Sequence, residues 1–374
     1  MVLTEDQFDV LPNNVLDVYE EYTLSVIRDI ARRLAGMDMT STAAWQMQRL
    51  TESGKTFENA LKELSKLTGK SEAELRAAFK AAGVKSIRFD DSIYKAAGLN
   101  PLPLNLSPAM SRVLAIGLQK TQGVMNNLTL TTATNSQQLF ISAADQAYMQ
   151  VSSGAMSYDQ AIRSAIKSVG ASGLEVTYPG GARDKLDVAM RRTVLTGVSQ
   201  TAGKLQEARA DEMGQDLVQV SAHAGARNTG IGPANHESWQ GKIYSRSGTS
   251  KRYPSFVEVT GYGTGEGLGG WNCRHSFYPY FEGISRNAYN SATRGQLARS
   301  SVNLEGERVP MYDATQMQRE IERKIRYWKR QSEALKAAQL DNMREAAKVA
   351  EWQRRMREFI EQTKLNRQRV REQT

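Results

Sequence analysis

Residues 261–279 read GYGTGEGLGGWNCRHSFYP, and this stretch decides more about the fold than any other part of the chain. Six of its first ten residues are glycine, which predicts a tightly wound loop whose backbone adopts positive φ or closely approaches another segment. The only cysteine, Cys273, and one of the three histidines, His275, follow directly. The other two histidines, His223 and His236, precede the loop, so all four residues lie within 53 positions. This clustering of scarce, chemically capable side chains predicts a small constrained unit.

Short strand-like runs surround this stretch. Residues 217–221, 242–244 and 256–260 are rich in β-branched and aromatic side chains, which predicts strands. Residues 174–178 alternate and are followed by Pro-Gly-Gly, which predicts a small hairpin, and a helix is expected over 185–213. We therefore expect a β-containing core around the glycine-rich loop.

A metal site is one interpretation of the histidines and the cysteine, because three imidazoles and one thiolate could form a tetrahedral zinc site. The spacing argues against it. Cys273 and His275 are only two positions apart, and no C-x-x-C or H-x₃-H spacing accompanies them. His236 and Glu237 begin an H-E sequence without the second histidine of H-E-x-x-H. The sequence therefore predicts no metal and no other cofactor, and it leaves a metal at this cluster open.

A cysteine nucleophile is a second interpretation, with His223 or His236 as the base. Cys273 stands between Asn272 and Arg274 in no protease signature, and a lone cysteine is more often a small buried apolar side chain. We therefore expect a protein that is not an enzyme, with a Cys/His enzyme as the least favoured alternative.

A phosphate-binding loop is a third interpretation, because Gly265, Gly267 and Gly270 match G-x-G-x-x-G. No helix is expected after the loop to direct its N-terminus at a phosphate, and no Walker A lysine is present. A nucleotide site is therefore not predicted.

The order of residues in this segment points to a protein family more specifically than its chemically reactive side chains point to a reaction. Four quoted runs, SAHAGAR (221–227), WQGKIYS (239–245), GYGTG (261–265) and GWNCRHSFYP (270–279), resemble the phage minor capsid protein 2 family. That family looks related to Mu-F-type head-morphogenesis proteins of tailed phages. The resemblance is strong over about 186–330 and mainly architectural before it. The residues of this chain that carry the motif are His223, Arg227, His236, Trp239, Gly241, Tyr244, Tyr262, Gly263, Gly265, Trp271, Asn272, Cys273, Arg274 and His275.

The resemblance implies a virion structural protein, present in a few copies near the portal and involved in head assembly and in DNA packaging or ejection. It implies the portal protein and other capsid proteins as partners, and the phage head as location, with the host cytoplasm during assembly. It implies no catalytic activity.

Helical periodicity dominates the rest of the chain. Predicted helices cover 14–36, 56–67 ending at Gly69, a segment opened by the capping box Ser71–Glu74, another opened by Ser157–Gln160 and ending at Gly170, and 315 to about 364. The predicted fold is α+β and predominantly α-helical, with long N-terminal helices, a small glycine-rich core and a long basic C-terminal helix. The predicted division is a helical region over 1–170, a Mu-F-like α+β core over 171–290, and a linker with a basic helical arm over 291–374.

Charge is unevenly distributed. The net charge of the 374 residues is +9, and residues 315–374 contain 16 Lys/Arg and 9 Asp/Glu. This segment is either a solvated helix with internal salt bridges or a contact for an acidic portal surface or packaged DNA. Non-specific DNA binding through this segment is an alternative function. The basic side chains proposed for contact are Arg323, Lys324, Arg326, Lys329, Arg330, Arg354, Arg355 and Arg357.

Composition excludes other classes. The length suggests two or three domains. A single cysteine excludes an internal disulfide framework, and no stretch approaches the 18 apolar residues of a membrane span. The first residues lack the basic and apolar regions of a secretion signal. We expect a protein of the cytoplasm, or of a particle assembled there, with no membrane partner.

Overall fold

Helices make up most of the chain in this computed structural model, which describes residues 4–39 and 41–373. The described α-helices are α1 (Glu5–Val10), α2 (Asn13–Ala35), α3 (Thr42–Ala96), α4 (Pro108–Ser152), α5 (Tyr158–Ser172), α6 (Leu186–Glu212), α7 (His236–Trp239), α8 (Phe256–Thr260), α9 (Ser291–Ala298), α10 (Met311–Ala337) and α11 (Met343–Thr363). Short 3₁₀ helices cover Leu104–Leu106, Gly232–Ala234 and Arg369–Glu372.

The strands are short and form three small antiparallel sheets. They are β1 (Glu175–Thr177), β2 (Arg183–Lys185), β3 (Leu217–Val220), β4 (Ile243–Ser245), β5 (Phe277–Pro279), β6 (Ser301–Leu304) and β7 (Glu307–Pro310). β1 pairs with β2, β6 pairs with β7, and β3 lies between β4 and β5. Val218 in β3 is opposite Tyr244 on one side and Pro279 on the other. The predominantly helical α+β fold is thus confirmed.

Contacts divide the chain into two units, each assembled from three stretches. The first unit comprises the described part of Met1–Asn14 with Ala73–Gly123 and Arg191–Gln316. The second comprises Val15–Glu72, Val124–Met190 and the described part of Met317–Thr374. The division into 1–170, 171–290 and 291–374 stays a prediction.

The first unit contains the glycine-rich core, the name used here for residues 217–279. Its hydrophobic centre is formed by strands β3, β4 and β5, helices α7 and α8, and the glycine-rich loop. The buried side chains at this centre are Val218, Val220, Trp239, Tyr244, Phe256, Tyr262, Leu268, Cys273 and Phe277. Aromatic rings meet edge to face here; the centroids of Phe256 and Phe277 are 4.9 Å apart.

Within the first unit, the start of α4 and the middle of α6 approach very closely. A Cβ added at Gly117 of α4 would lie 2.0 Å from Oγ1 of Thr201 in α6. A Cβ added at Gly197 of α6 would lie 2.2 Å from Oγ1 of Thr121 in α4. These reciprocal glycine–threonine contacts bring the start of α4 against α6, the helix that leads into the glycine-rich core.

The second unit includes the C-terminal segment, the name used here for residues 317–373. Helix α10 packs against α5 so tightly that a Cβ added at Gly170 would lie 2.7 Å from the Cα of Gln331. Residues after α11 fold back onto α10: the amide of Gln318 donates to the carbonyl of Asn366 at 2.9 Å, and Nζ of Lys329 donates to that of Glu372 at 2.7 Å. One face of α10 is therefore covered by other parts of the second unit.

Several local predictions are confirmed. Ser157 caps α5 with Gln160 as the reciprocal partner, although the helix runs two residues past the predicted end at Gly170, to Gly173 with φ +63°. The hairpin near 174–178 is β1–β2, β3 covers most of 217–221, and α6 nearly coincides with 185–213.

The predicted break at Gly69 and the helix start at Ser71 are wrong. Helix α3 runs through both without interruption. Ser71 is buried, and its hydroxyl donates to the carbonyl of Thr68 at 3.0 Å, so it bonds within the helix and does not cap a new one.

Residues 256–260 form helix α8 and not the predicted strand. The hydroxyl of Ser255 accepts a hydrogen bond from the backbone of Glu258 at 3.4 Å, and Gly261 with φ +61° ends the helix. The single C-terminal helix predicted over 315–364 is also two helices, α10 and α11, because Gln339 has φ +59° between them.

Candidate functional site

The glycine-rich loop winds back on itself. A Cβ added at Gly267 would lie 2.2 Å from the carbonyl oxygen of Gly261, and one added at Gly270 would lie 2.3 Å from that of Gly265. The backbone amide of Trp271 donates to this same Gly265 oxygen at 2.6 Å. The glycines therefore permit backbone-to-backbone contact, as the sequence predicts, and the loop leads into an irregular segment and β5 without a phosphate-directed helix.

Three of the scarce side chains, one before the glycine-rich loop and two after it, lie together in the interior. His236 begins α7, and Cys273 and His275 lie just before β5. All three side chains are buried, and their ligand atoms (one imidazole nitrogen each and Sγ) lie within 4.8 Å of one another. Sequence spacing gave no sign of this grouping, because it depends on how the glycine loop returns.

Hydrogen bonds fix the orientation of each ring. Nε2 of His236 donates to the carbonyl of Glu266 at 2.8 Å. Nε2 of His275 is 3.0 Å from Oε1 of Gln240, which also accepts the backbone N–H of His223 at 3.0 Å. Since that oxygen accepts from a backbone amide, Gln240 presents an acceptor to His275, and Nε2 of His275 carries the proton.

Burial keeps these groups neutral. It lowers the pKa of His236 to about 4 and that of His275 well below its ordinary value. Burial also raises the pKa of the Cys273 thiol. A thiol held protonated in this way is a poor nucleophile, so the geometry supports no activated cysteine.

His223 lies half-buried at the edge of this group. Its Nδ1 donates to the carbonyl of Ala224 at 2.9 Å, and its ring centroid is 4.4 Å from that of His275. The structure thus brings all three predicted histidines and Cys273 together.

The aromatic motif residues hold the backbone around the cluster. The indole N–H of Trp239 donates to the carbonyl of Pro233 at 3.0 Å, and the hydroxyl of Tyr244 donates to that of Trp239 at 2.7 Å. The hydroxyl of Tyr262 donates to Oε2 of Glu207 at 3.2 Å, and burial holds its pKa well above the usual range.

The remaining motif residues shape turns and link segments. Gly241 and Gly263 have positive φ, as has Asn272 at +55°. Gly265 lies under the Trp271 ring, where an added Cβ would be 2.7 Å from Cζ2.

The two motif arginines also act within the first unit. Arg227 donates to the carbonyl of Trp271 at 3.1 Å. Arg274 forms a largely buried ion pair with Asp9 at 2.9 Å, which ties α1 to the motif.

The predicted basic contact residues separate into two groups. Arg323, Lys324, Arg354, Arg355 and Arg357 are exposed. Arg355 pairs with Glu351 at 2.8 Å, and its guanidinium lies 4.6 Å from the ring centre of Trp352.

The other three are partly or fully buried within the second unit. Nε of Arg326 is 3.1 Å from the carboxylate of Asp187. Arg330 is 8 % exposed, and its Nε donates to the carbonyl of Gly170 at 3.3 Å. Burial lowers the pKa of Lys329 and of Arg330. Their charge therefore stabilises the interior and adds little to an external surface.

The chain matches the model of one known protein family. The model of the family described as phage minor capsid protein 2 matches residues 3–361. The chain belongs to the phage minor capsid protein 2 family. The match includes the N-terminal helices, where the quoted motifs gave only an architectural likeness, as well as the glycine-rich core.

Two relatives are named structural proteins of phages. A structural protein of Lactococcus phage LL-H is 24 % identical over 371 residues, covering 94 % of this chain and 94 % of that protein. A structural protein of Lactococcus phage mv4 is 32 % identical over 126 residues, covering 32 % of this chain and 91 % of that protein. No solved structure matches the chain. Over residues 4–39 and 41–373, no helix has both the length and the apolar character to cross a membrane.

Sequence reasoning about this family member missed several partners of the predicted residues. Gln240 lies beside Trp239 within the WQGKIYS run, and this position in the motif was the available signal that it takes part in the cluster. Asp9, Glu20 and Asp187 gave no signal, because each is distant in sequence from the arginine that it meets.

Proposed function

We propose that this family member is a structural component of the phage head that associates with other capsid proteins and acts near the portal during head assembly and DNA packaging or ejection. The observation that carries the proposal is the family match over residues 3–361, supported by a relative named a structural protein that aligns along 94 % of both chains. The virion is the proposed location, with the host cytoplasm as the place of assembly.

The chemistry of the core supports a structural role. The polar atoms of His236, Gln240, His275, Trp239 and Tyr244 serve internal hydrogen bonds, and burial raises the pKa of the only thiol. We accordingly propose that the protein is not an enzyme. Native protein should resist alkylation of Cys273 by iodoacetamide at pH 7, whereas rapid alkylation would favour the Cys/His alternative.

Deletion of the gene tests the role in assembly. Phage lacking the protein should produce empty or defective heads, and supplying the intact chain from a plasmid should restore packaged particles. Normal head yield, packaging and infectivity after deletion would contradict the proposal.

Cosedimentation tests the partner. Full-length protein should sediment with purified portal oligomers and also be present in purified capsids. If it sediments with capsid shells and fails to bind the portal, the structural role stands and the portal-proximal part is wrong.

Non-specific DNA binding is the second candidate, because Arg354, Arg355 and Arg357 are exposed close together on α11. Their glutamate neighbours weaken the case: Glu351 is 2.8 Å from Arg355, and Glu358 is 3.7 Å from Arg354. If these arginines contact phosphates, changing all three to Gln should lower the slope of log affinity against log salt by up to about 0.9 per contact.

A matched control has the same charge change on exposed side chains of α3, namely Lys62→Gln, Lys66→Gln and Lys70→Gln. Equal loss of DNA binding in both triple variants would show that net charge, and not α11, is responsible.

A further inference from the structure

The buried cluster of the glycine-rich core combines two imidazoles and a thiol from two separate segments. His236 lies in α7, and Cys273 and His275 lie on the far side of the glycine loop. Their ligand atoms lie within 4.8 Å of one another, which is a span that one metal ion can bridge with small side-chain movements.

The hydrogen bonds leave the right atoms for a metal. A carbonyl can only accept, so the contact with Glu266 places the proton of neutral His236 on Nε2 and its lone pair on Nδ1. The contact with Gln240 does the same for His275. Nδ1 of His275 lies 3.6 Å from Sγ of Cys273, so a lone pair and the sulfur already face one another.

This arrangement matches the outer shell of protein metal sites. Metal-binding histidines almost always donate their second ring N–H to a carbonyl or carboxylate, which fixes the tautomer and the ring. Here a backbone carbonyl serves His236, and a side-chain amide, itself fixed by the N–H of His223, serves His275. Ordinary packing of two buried histidines does not require the lone pair of one of them to face a sulfur.

We propose that His236, Cys273 and His275 bind one Zn²⁺ through two Nδ1 atoms and Sγ, with water as the fourth ligand. Two imidazoles and one thiolate in a tetrahedral arrangement favour zinc over calcium or magnesium, which prefer oxygen. On binding, Sγ forms a bond to zinc and its proton passes to solvent, while the two imidazoles are already neutral. The inference is independent of any role at the portal.

The ion would connect α7 to the segment before β5 and so close the glycine-rich loop at its base. Because the core's three described strands have only three or four residues each, a link of this kind would add rigidity that short β-ladders do not supply. The competing interpretation is a thiol of Cys273 that simply donates to Nδ1 of His275 without a metal.

Cobalt substitution of the full-length protein separates these interpretations. Protein freed of metal by a chelator under reducing conditions is titrated with Co²⁺ and then with Zn²⁺. The proposal expects one equivalent bound, a thiolate-to-cobalt charge-transfer band, intense tetrahedral d–d bands, and loss of the spectrum when zinc displaces cobalt. Absence of binding, or a cobalt spectrum without the charge-transfer band, would overturn it.

Variants locate the site. Cys273→Ser should abolish the charge-transfer band and weaken zinc binding at least about 10-fold, the smaller end of the loss seen even for outer-shell changes. Tyr262→Phe is the matched control, because Tyr262 is buried in the same core and contributes no ligand; it should keep the full spectrum. Loss of metal from both variants, each folded by circular dichroism, would contradict the assigned ligands.

Discussion

The glycine-rich core and the C-terminal segment both bury polar side chains, but they do so in opposite ways. In the core most of the buried polar groups are neutral and their partners lie within the core itself, as Tyr244 shows with the carbonyl of Trp239. In the C-terminal segment the buried groups are charged, and their partners come from distant helices, as Arg326 does with Asp187. The first arrangement produces a recognisable motif, whereas the second is hidden within an ordinary run of basic residues.

The difference has an energetic side. A neutral group that keeps a hydrogen bond loses little on burial, whereas a buried charge depends on its partner to offset desolvation. Loss of a packed side chain should therefore have the largest effect on stability in the core. In the C-terminal segment, stability should respond most to the loss of a buried charge or to a change of pH.

The largest effect is expected for Trp239→Ala in the core. Trp239 is completely buried, and truncation leaves a large cavity, so the free energy of unfolding should fall by about 3–5 kcal/mol. Trp271→Ala, at a side chain that is 53 % exposed, should cost less than about 1 kcal/mol. Urea denaturation followed by circular dichroism measures both. Similar losses would mean that burial does not distinguish the two tryptophans.

Arg330→Met should cost about 3 kcal/mol in the same assay, because it leaves the carboxylate of Asp187 without one of its cations. Arg354→Met, on the exposed face of α11, should cost no more than about 1 kcal/mol. If the two changes were equally mild, the buried charges of the C-terminal segment would not be holding it in place.

A smaller effect is expected where α5 meets α10. Gly170→Ala places a methyl group against the backbone of Gln331, and overpacking of this kind should cost about 1–3 kcal/mol. Gly69→Ala, in the middle of α3 with open space around it, should instead raise the free energy of unfolding by about 0.5–1 kcal/mol. Thermal or urea denaturation gives both values, and a stabilising Gly170→Ala would contradict the tight contact.

The last prediction concerns pH. Burial raises the pKa of Glu20 from 4.5 to about 8, among the charged groups Asp187, Arg326, Arg330, Asp17 and Lys329. A raised pKa contributes stability that is fully present below pH 4.5 and is lost as the pH rises towards 8. Glu20→Gln lacks this loss, so its stability relative to the natural protein should grow by up to about 1.4 kcal/mol per pH unit across this window. Parallel stability curves from pH 5 to 8 would contradict it.

Sequence reasoning succeeded where one local interaction decides the structure. Ser157 and Gln160 satisfy each other's backbone at the start of α5, and the pattern was readable from four residues. The same pattern at Ser71 failed, because tertiary packing buries Ser71 within a continuous helix. At 256–260 the β-branched residues suggested a strand, although Ser255 and Glu258 already carried a helix-start signal.

The candidate site also has a part that the sequence predicts and a part that it does not. The motif residues could be identified from their wording, and the structure gathers His236, Cys273 and His275 into one buried group. The sequence spacing gave no indication of this group, since Cys273 and His275 lie just before β5 and His236 lies in α7, on the other side of the loop. The burial of Arg330 could not be foreseen, because nothing local distinguishes it from exposed Arg323.

The return of residues 366–372 onto α10 has a consequence for the timing of biosynthesis. Helix α2 and the carboxyl group of Glu20 leave the ribosome long before Arg326, Arg330 and the closing turns that cover α10. The second unit therefore cannot close until residue 372 has been translated, and the first unit must wait for residues up to 316. Over that interval the apolar faces of the nascent helices lack their partners, and surfaces of this kind are prone to aggregate.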